Sequence, residues 1–457
     1  MENLHKLHFI AIGGSAMHSL ALALTRKGMD ISGSDDAIYG PSFKALQQAG
    51  ILPEQMGWFP ERIHSDVDAV IVGMHAKKDN PELLQAQTLG IPIYSYPEFI
   101  ARLTAHQTRV VIGGSHGKTT ITAMVLHVLK QCQIDVDFLV GAGVEGYAHT
   151  VELLGDRDFV LLEGDEYLSS PLDLKSKFLW YKPQIALLSG IAWDHVNVFP
   201  TETDYINTFD AFIDSMTPGG TLIYQENDAV LSQLVASNEN MIRKEPYGQA
   251  KHHIRAGQCF LDTDEGPIPL QVFGAHNMQN LAGARWICQL MGVDAEDFNH
   301  AISSFKGASG RLQLLAAGKS ARIFRDFAHA PSKVKATTAA VATQFPEKTL
   351  LAGLELHTFS SLTQDFLQQY KHTLQTASQA FVYYDPEALA QKNRPSIAAE
   401  VIQEAFDHPN LTVIDTRERL SAFLAQQSAA DRIFLLMSSG TFGGVTFDSL
   451  QAAVKDA

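Results

Sequence analysis

The sequence is short of cysteine, of basic charge and of long apolar runs, and each shortage removes a class of protein. Cys132, Cys259 and Cys288 are its three cysteines. They are few, odd in number and without metal-ligand spacing, which argues against a disulfide scaffold or zinc framework and for a reducing compartment. A formal charge of −15 leaves no basic excess of the kind nucleic-acid binders carry, so no nucleic-acid partner is expected. No apolar run approaches the roughly 18 residues of a membrane span. The N-terminus enters a strand without the charged and apolar regions of a secretory signal. A cytoplasmic chain with no membrane insertion is expected. Anionic small substrates are not excluded, because a pocket and a metal ion can supply local positive charge.

What the sequence does contain is organised around Val110-Val111-Ile112-Gly113-Gly114-Ser115-His116-Gly117-Lys118-Thr119-Thr120. Apolar β-formers run into a glycine turn, and Lys-Thr-Thr opens an amphipathic segment, Ile121 to Lys130, with helical spacing. Strand, loop and helix in this order let backbone N–H groups surround phosphate oxygens at a helix N-terminus. Lys118 can then reach terminal phosphates, and the Thr119 hydroxyl can hold Mg²⁺. The usual spacing asks for glycine where Ile112 stands, so the motif is a shortened one, Gly114 to Thr120. A glycine turn with a solvated lysine is the alternative.

At 457 residues the chain has room for about three domains of ordinary size. The first third reads as alternating strands and helices. Leu7 to Ile12 is a strand, Gly13-Gly14-Ser15-Ala16-Met17 turns into a helix, and Met29 to Gly33 leads to Ser34-Asp35. A glycine turn after one strand and an acid after the next suit a dinucleotide-type fold, with Asp35 accepting ribose hydroxyls or simply tying a tight turn. In the middle, Phe159 to Leu162 delivers Glu163-Gly164-Asp165-Glu166, and Ile185 to Leu188 is followed by Asp194-His195. Acids and an imidazole at strand C-termini near a phosphate loop suit divalent metal, with Thr119 and Glu163 on one ion and His195 on a second. A helix cap for Glu163 and a loop contact for His195 are the alternatives. Asn277 and Asn280, set before a helix expected from Leu281, fall at i and i+3 and could present both amides to one pocket. The last third alternates again, with strands near 321–324, 349–353, 380–384, 411–414 and 432–437. Arg311 follows a Gly-Ala-Ser-Gly linker. Asp326 and His329 end a strand, and Pro331 suits a helix start.

Gly114-Ser115-His116-Gly117-Lys118-Thr119-Thr120, Glu163-x-Asp165-Glu166, Asp194-His195, His276-Asn277-x-x-Asn280, Arg311 and Asp326-Phe327-Ala328-His329-x-Pro331 occur in the order of the Mur ligases, and the chain resembles that family along its whole length. The resemblance implies an α/β protein of three domains. A Rossmann-like domain at 1–107 would bind the UDP part of UDP-N-acetylmuramate through Gly13, Gly14, Ser15, Ala16, Met17 and Asp35. A central P-loop ATPase-type domain with a mostly parallel sheet at 108–307 would bind ATP and Mg²⁺, and a Rossmann-like domain at 308–457 would bind the acceptor. It implies an ATP-dependent amide ligase working through an acyl phosphate. Gly114 to Thr120, Asn277, Asn280, Arg311 and Asp326 would hold the nucleotide. Lys118, Glu163, His195, Arg311 and His329 would serve the reaction. The stretches Lys175-Ser176-Lys177-Phe178, Tyr181-Lys182-Pro183 and Met437-Ser438-Ser439-Gly440 look like the branch that adds the tripeptide L-alanyl-γ-D-glutamyl-meso-diaminopimelate. Departures fall in the last domain: Arg325 stands where the family has an acid, and the Glu355 to Ser360 segment lacks the Pro-Arg-Ser-Asn pattern associated with that branch. L-alanine therefore remains the alternative acceptor. A nucleotide-driven switch or a dinucleotide oxidoreductase would leave either the first unit or the Lys118 loop unexplained.

Overall fold

The computed structural model describes residues 4–193, 198–357, 360–362, 364–386 and 397–457. His195 lies outside the described residues. The chain forms two compact units, one built from Met1–Trp193, Val198–Gly248 and Gly283–Phe298, the other from Gln249–Ala282 and Asn299–Ala457.

The first unit carries two sheets. Strands β1 (Lys6–Ile10), β2 (Asp30–Ser34), β3 (Ala69–Val72) and β4 (Ile93–Ser95) make a parallel sheet in the order β2-β1-β3-β4. Helices α1 (Ser15–Arg26), α2 (Gly40–Gln48), α3 (Pro81–Thr88) and α4 (Tyr96–Leu103) lie between or after these strands. The central sheet comprises β5 (Thr108–Gly113), β6 (Asp137–Leu139), β7 (Val151–Glu152), β8 (Phe159–Glu163), β9 (Ile185–Leu188), β10 (Thr221–Gln225) and β11 (Arg243–Tyr247). Its order is β11-β10-β9-β5-β8-β6-β7, parallel except for β7. Val110, Val111, Ile112, Leu161, Leu162 and Leu187 are fully buried, as the strands of a sheet covered on both faces must be. One apolar cluster runs from Leu7 and Phe99 through Val111 and Leu162 to Phe178 and Phe212, so the two sheets share a core.

Helix α5 (Lys118–Gln131) corrects one expectation. Its residues Thr119 to Leu129 are all buried, including Thr122 and His127, so the helix is enclosed all round rather than amphipathic. Helices α6 (Glu202–Ser215) and α7 (Ala229–Ser237) follow on either side of β10.

The second unit contains a three-stranded antiparallel sheet of β12 (His252–Arg255), β13 (Gln258–Thr263) and β14 (Gly266–Leu270), none of it expected from the sequence. Helix α8 (Ala275–Leu290) starts six residues before the expected Leu281, with Gly274 at φ +93° turning the chain into it. Asn277 and Asn280 are thus helical residues. Helix α9 (Ala295–Ile302) follows α8 in the chain. The larger sheet of the second unit joins β15 (Gln313–Ala317), β16 (Arg322–Asp326), β17 (Thr349–Leu356), β18 (Gln379–Tyr384), β19 (Leu411–Ile414) and β20 (Arg432–Met437) in the order β15-β16-β20-β17-β18-β19. Only β15 is antiparallel to its neighbour. Helix α10 (Pro331–Gln344) has Pro331 in its first turn, where the missing N–H costs nothing.

Candidate active site

The phosphate loop is fixed by backbone conformation. Gly114 adopts φ +123° and Gly117 φ +80° directly before α5. A Cβ on Gly114 would stand 2.4 Å from Ser189 Oγ, so this position needs glycine on both counts. The loop is stapled to the segment after β9: Ser115 N–H donates to the Gly190 carbonyl at 2.8 Å, Ala192 N–H donates to Ser115 Oγ at 3.0 Å, and Ser189 Oγ donates to the His116 carbonyl. Helix α5 then presents its N-terminal turn to the loop, where unpaired N–H groups and the helix dipole favour an anion.

Two carboxylates from the end of β8 and just beyond organise the side chains. Glu163 accepts Thr119 Oγ1–H at 2.6 Å on one oxygen and Gly141 N–H at 2.6 Å on the other. It does not cap a helix. Glu166, fully buried, accepts Lys118 Nζ at 3.0 Å, and Lys118 also donates to the Gly114 carbonyl at 2.6 Å. Burial alone would pull the Lys118 ammonium down, but Glu166, Asp165 and Glu163 outweigh it and hold Lys118 above the ordinary lysine range. Burial and the neighbouring Asp165 push Glu163 above the usual carboxylate range, with Thr119, Gly141 and Lys118 pulling the other way. Glu166 was legible as part of its motif, yet its role as the partner of Lys118 was not. The only signal was a third acid in an otherwise apolar neighbourhood.

Thr119 and Glu163 offer two adjacent hard oxygens with Asp165 close by. That donor set and its excess of carboxylate suit Mg²⁺. Among the described residues no three His, Cys, Asp or Glu side chains form a metal cluster, so the remaining ligands would come from phosphate and water.

Glu163 also lines a cavity of about 360 Å³ inside the first unit. Gly14 to Met17 at the N-terminus of α1 form one wall, and Tyr96, Tyr181, Asp165 and Lys177 form others. Gly13 and Asp35 tie the turn behind that wall: Gly13 N–H donates to the Asp35 carboxylate at 2.7 Å. Burial raises Asp35 above the usual carboxylate range against this bond. Lys177, Tyr96 and Gly141 were not among the residues expected in the site.

The other expected residues lie in the second unit. Asp326, buried at the end of β16, accepts Leu312 N–H at 3.1 Å and Thr337 Oγ1–H at 2.6 Å. The Arg311 guanidinium lies 4.2 Å over the Phe327 ring, and the Phe327 and His329 rings stand perpendicular with centroids 5.4 Å apart. His329 Nδ1 is 2.9 Å from the Phe327 carbonyl oxygen. Asn277 donates to the Phe273 carbonyl at 2.9 Å, and Asn280 donates to Asn277 at 3.4 Å, so the two amides do share one face. Next to them His276 is held below the ordinary imidazole range by burial, against the pull of Asp326.

The chain matches the Mur ligase catalytic domain over residues 6–108, the Mur ligase middle domain over 112–288 and the Mur ligase glutamate ligase domain over 310–440. It is 30% identical to a UDP-N-acetylmuramate–L-alanine ligase of Caldicellulosiruptor bescii, covering 87% of each chain. It is 28% identical to the UDP-N-acetylmuramate–L-alanyl-γ-D-glutamyl-meso-2,6-diaminoheptandioate ligase of Escherichia coli K12, covering 99% of each. A murein peptide ligase from Psychrobacter arcticus shares the fold, with a TM-score of 0.67 at 23% identity over 98% of this chain and 99% of that one. Among the described residues no helix is long and apolar enough to cross a membrane. Three successive domain matches, set on mostly parallel α/β sheets, show that the chain belongs to the Mur ligase family of ATP-dependent amide-bond-forming enzymes.

Proposed function

We propose that the enzyme joins the lactyl carboxylate of UDP-N-acetylmuramate to the α-amine of the tripeptide L-alanyl-γ-D-glutamyl-meso-diaminopimelate, in the cytoplasm. The observation that carries the donor half is the double role of Glu163, which meets Thr119 at the phosphate loop and also lines the cavity beside the N-terminus of α1. An acid seated in that cavity lies next to the phosphate loop. We assign 1–107 to the UDP-sugar, with Gly13 to Met17 and Asp35 at its glycine turn, 108–307 to ATP and 308–457 to the acceptor.

A carboxylate is a poor acyl donor until one of its oxygens becomes a leaving group. The carboxylate oxygen attacks the γ-phosphorus of ATP and ADP departs. The acceptor amine, once deprotonated, attacks the acyl carbon, and phosphate leaves with the new amide in place. Phosphoryl transfer asks little covalent work of a protein, so the residues assigned to it position groups and neutralise charge. Lys118 exchanges Glu166 and Gly114 for phosphate oxygens. Thr119 and Glu163 would hold Mg²⁺, which supplies charge neutralisation at the transferring phosphoryl group, and His195 is assigned to a second ion. Arg311, Asp326, Asn277 and Asn280 are assigned to the nucleotide, and His329 to orientation near the reacting carboxylate.

The residues around Lys175 to Pro183 and Met437 to Gly440 support the tripeptide. The 30% identity to an L-alanine ligase favours a second reading, in which L-alanine is the acceptor. Incubation of enzyme, ATP and UDP-N-acetylmuramate with either acceptor separates the two. The first reading expects ADP release and amide product with tripeptide and little with L-alanine; faster turnover with L-alanine would replace it by the second.

A further inference from the structure

The cavity beside the phosphate loop poses an electrostatic problem. Its wall carries two acids, Glu163 and Asp165, and Lys177 is the one lysine or arginine among its described lining residues. An anionic donor entering there meets repulsion unless a cation receives it. Lys118 is already engaged at close range by Glu166 and Gly114. Lys177 is held more loosely: its Nζ stands 3.4 Å from Asp165 Oδ2, wider than the 2.7–2.9 Å typical of a charge-assisted bond, and 5.7 Å from the Tyr167 ring centroid. An ammonium has three donors, so the contact with Asp165 leaves capacity for a second carboxylate.

A second, independent observation points into the same space. Tyr96 lines the cavity and is 5% exposed, yet its hydroxyl has no hydrogen-bond partner among the described residues. A buried hydroxyl left unpaired is costly in a native protein and calls for a ligand or water. Tyr96 comes from the start of α4 and Lys177 from the turn after Ser176, so the two polar groups reach the cavity from separate segments of the first unit.

We propose that Lys177 and the Tyr96 hydroxyl form the clamp for the donor carboxylate, receiving it in the cavity between Asp165 and the N-terminus of α1 and holding it toward Glu163 and the phosphate loop. This rests on the donor assigned above. The clamp makes Lys177 a substrate-binding residue for the reacting group itself, distinct from the cation that serves ATP.

The test compares UDP-N-acetylmuramate with its lactamide analogue, in which the carboxylate is a neutral amide, by calorimetric binding to wild type, Lys177→Met, Lys177→Arg and Tyr96→Phe. Wild type should bind the acid at least about tenfold more tightly than the amide. Lys177→Met should abolish that preference and raise KM for the donor about tenfold while KM for ATP stays unchanged, and Lys177→Arg should restore part of the preference. Tyr96→Phe should weaken donor binding several-fold while the thermal midpoint is unchanged or higher, since no internal hydrogen bond is lost. A merely structural lysine would lower the thermal midpoint and leave the acid-over-amide preference intact; that result overturns the clamp. Wild type that binds the acid and turns it over, with Lys177→Met retaining the full preference, refutes the clamp alone. Wild type that binds neither compound refutes the assigned donor and the clamp with it.

Discussion

Glu163 and Glu355 are both buried glutamates at the C-terminal ends of parallel strands, and they serve opposite ends. Glu355, at the end of β17, accepts Ser438 Oγ–H and Phe442 N–H at 2.8 Å on one oxygen and Gly443 N–H at 3.2 Å on the other. Three of its donors come from one loop, the one after β20, so it fastens that loop to the sheet, and His357 Nδ1 stands 4.0 Å from its other oxygen. Among the described residues Glu163 accepts two donors, from Thr119 and Gly141, and it shares its surroundings with Asp165. A carboxylate wrapped by neutral donors is spent on structure. One left beside another acid retains an unmet need for a cation.

Four substitutions sharpen or break this contrast. The largest effect is expected for Lys118→Ala, which should lower kcat at least about a thousandfold, on the scale of lost phosphoryl-charge stabilisation. Binding of the UDP-sugar, followed calorimetrically, should be nearly unchanged. Next, Glu163→Gln should cost about a hundredfold in ligation, while its urea midpoint stays level or rises because repulsion between a buried acid and the partly exposed Asp165 has been relieved. Glu355→Gln should do the reverse: an amide NH₂ now faces N–H donors, stability falls by about 2–3 kcal/mol, and turnover per folded molecule is retained. If both substitutions reduced stability alike, the distinction between the two acids would be lost.

The smallest effect concerns His276, half-buried near Asp326 and held below the ordinary imidazole range. Its folded-state value is depressed, so the unfolded chain takes up a proton near pH 6.5 while the folded chain does not. The stability it contributes is present above that pH and is lost as pH falls. His276→Gln should therefore show a shallower decline of the urea midpoint between pH 7 and 5 than wild type.

The same contrast explains what the sequence could show. Val110 to Ile112, Phe159 to Leu162 and Ile185 to Leu188 were readable as strands because a sheet buried on both faces writes itself as continuous apolar runs. The antiparallel strands His252–Arg255, Gln258–Thr263 and Gly266–Leu270 were not, since half their side chains face solvent and two prolines interrupt the last. Arg243–Tyr247 escaped for a similar reason, being an edge strand that carries Pro246. The start of α8 was misplaced because Asn277 and Asn280 carry poor helix propensity, and only packing keeps them helical. Local chemistry marked Gly114 to Thr120 and Glu163. Lys177 and Tyr96 become neighbours of one cavity only through the packing of two sheets, which no local pattern encodes.

The fate of one oxygen atom tests acyl-phosphate formation most directly. UDP-N-acetylmuramate labelled with ¹⁸O in its lactyl carboxylate, incubated with enzyme, ATP and tripeptide, should yield inorganic phosphate carrying one ¹⁸O, as measured by mass spectrometry. Amide product accompanied by unlabelled phosphate would contradict it.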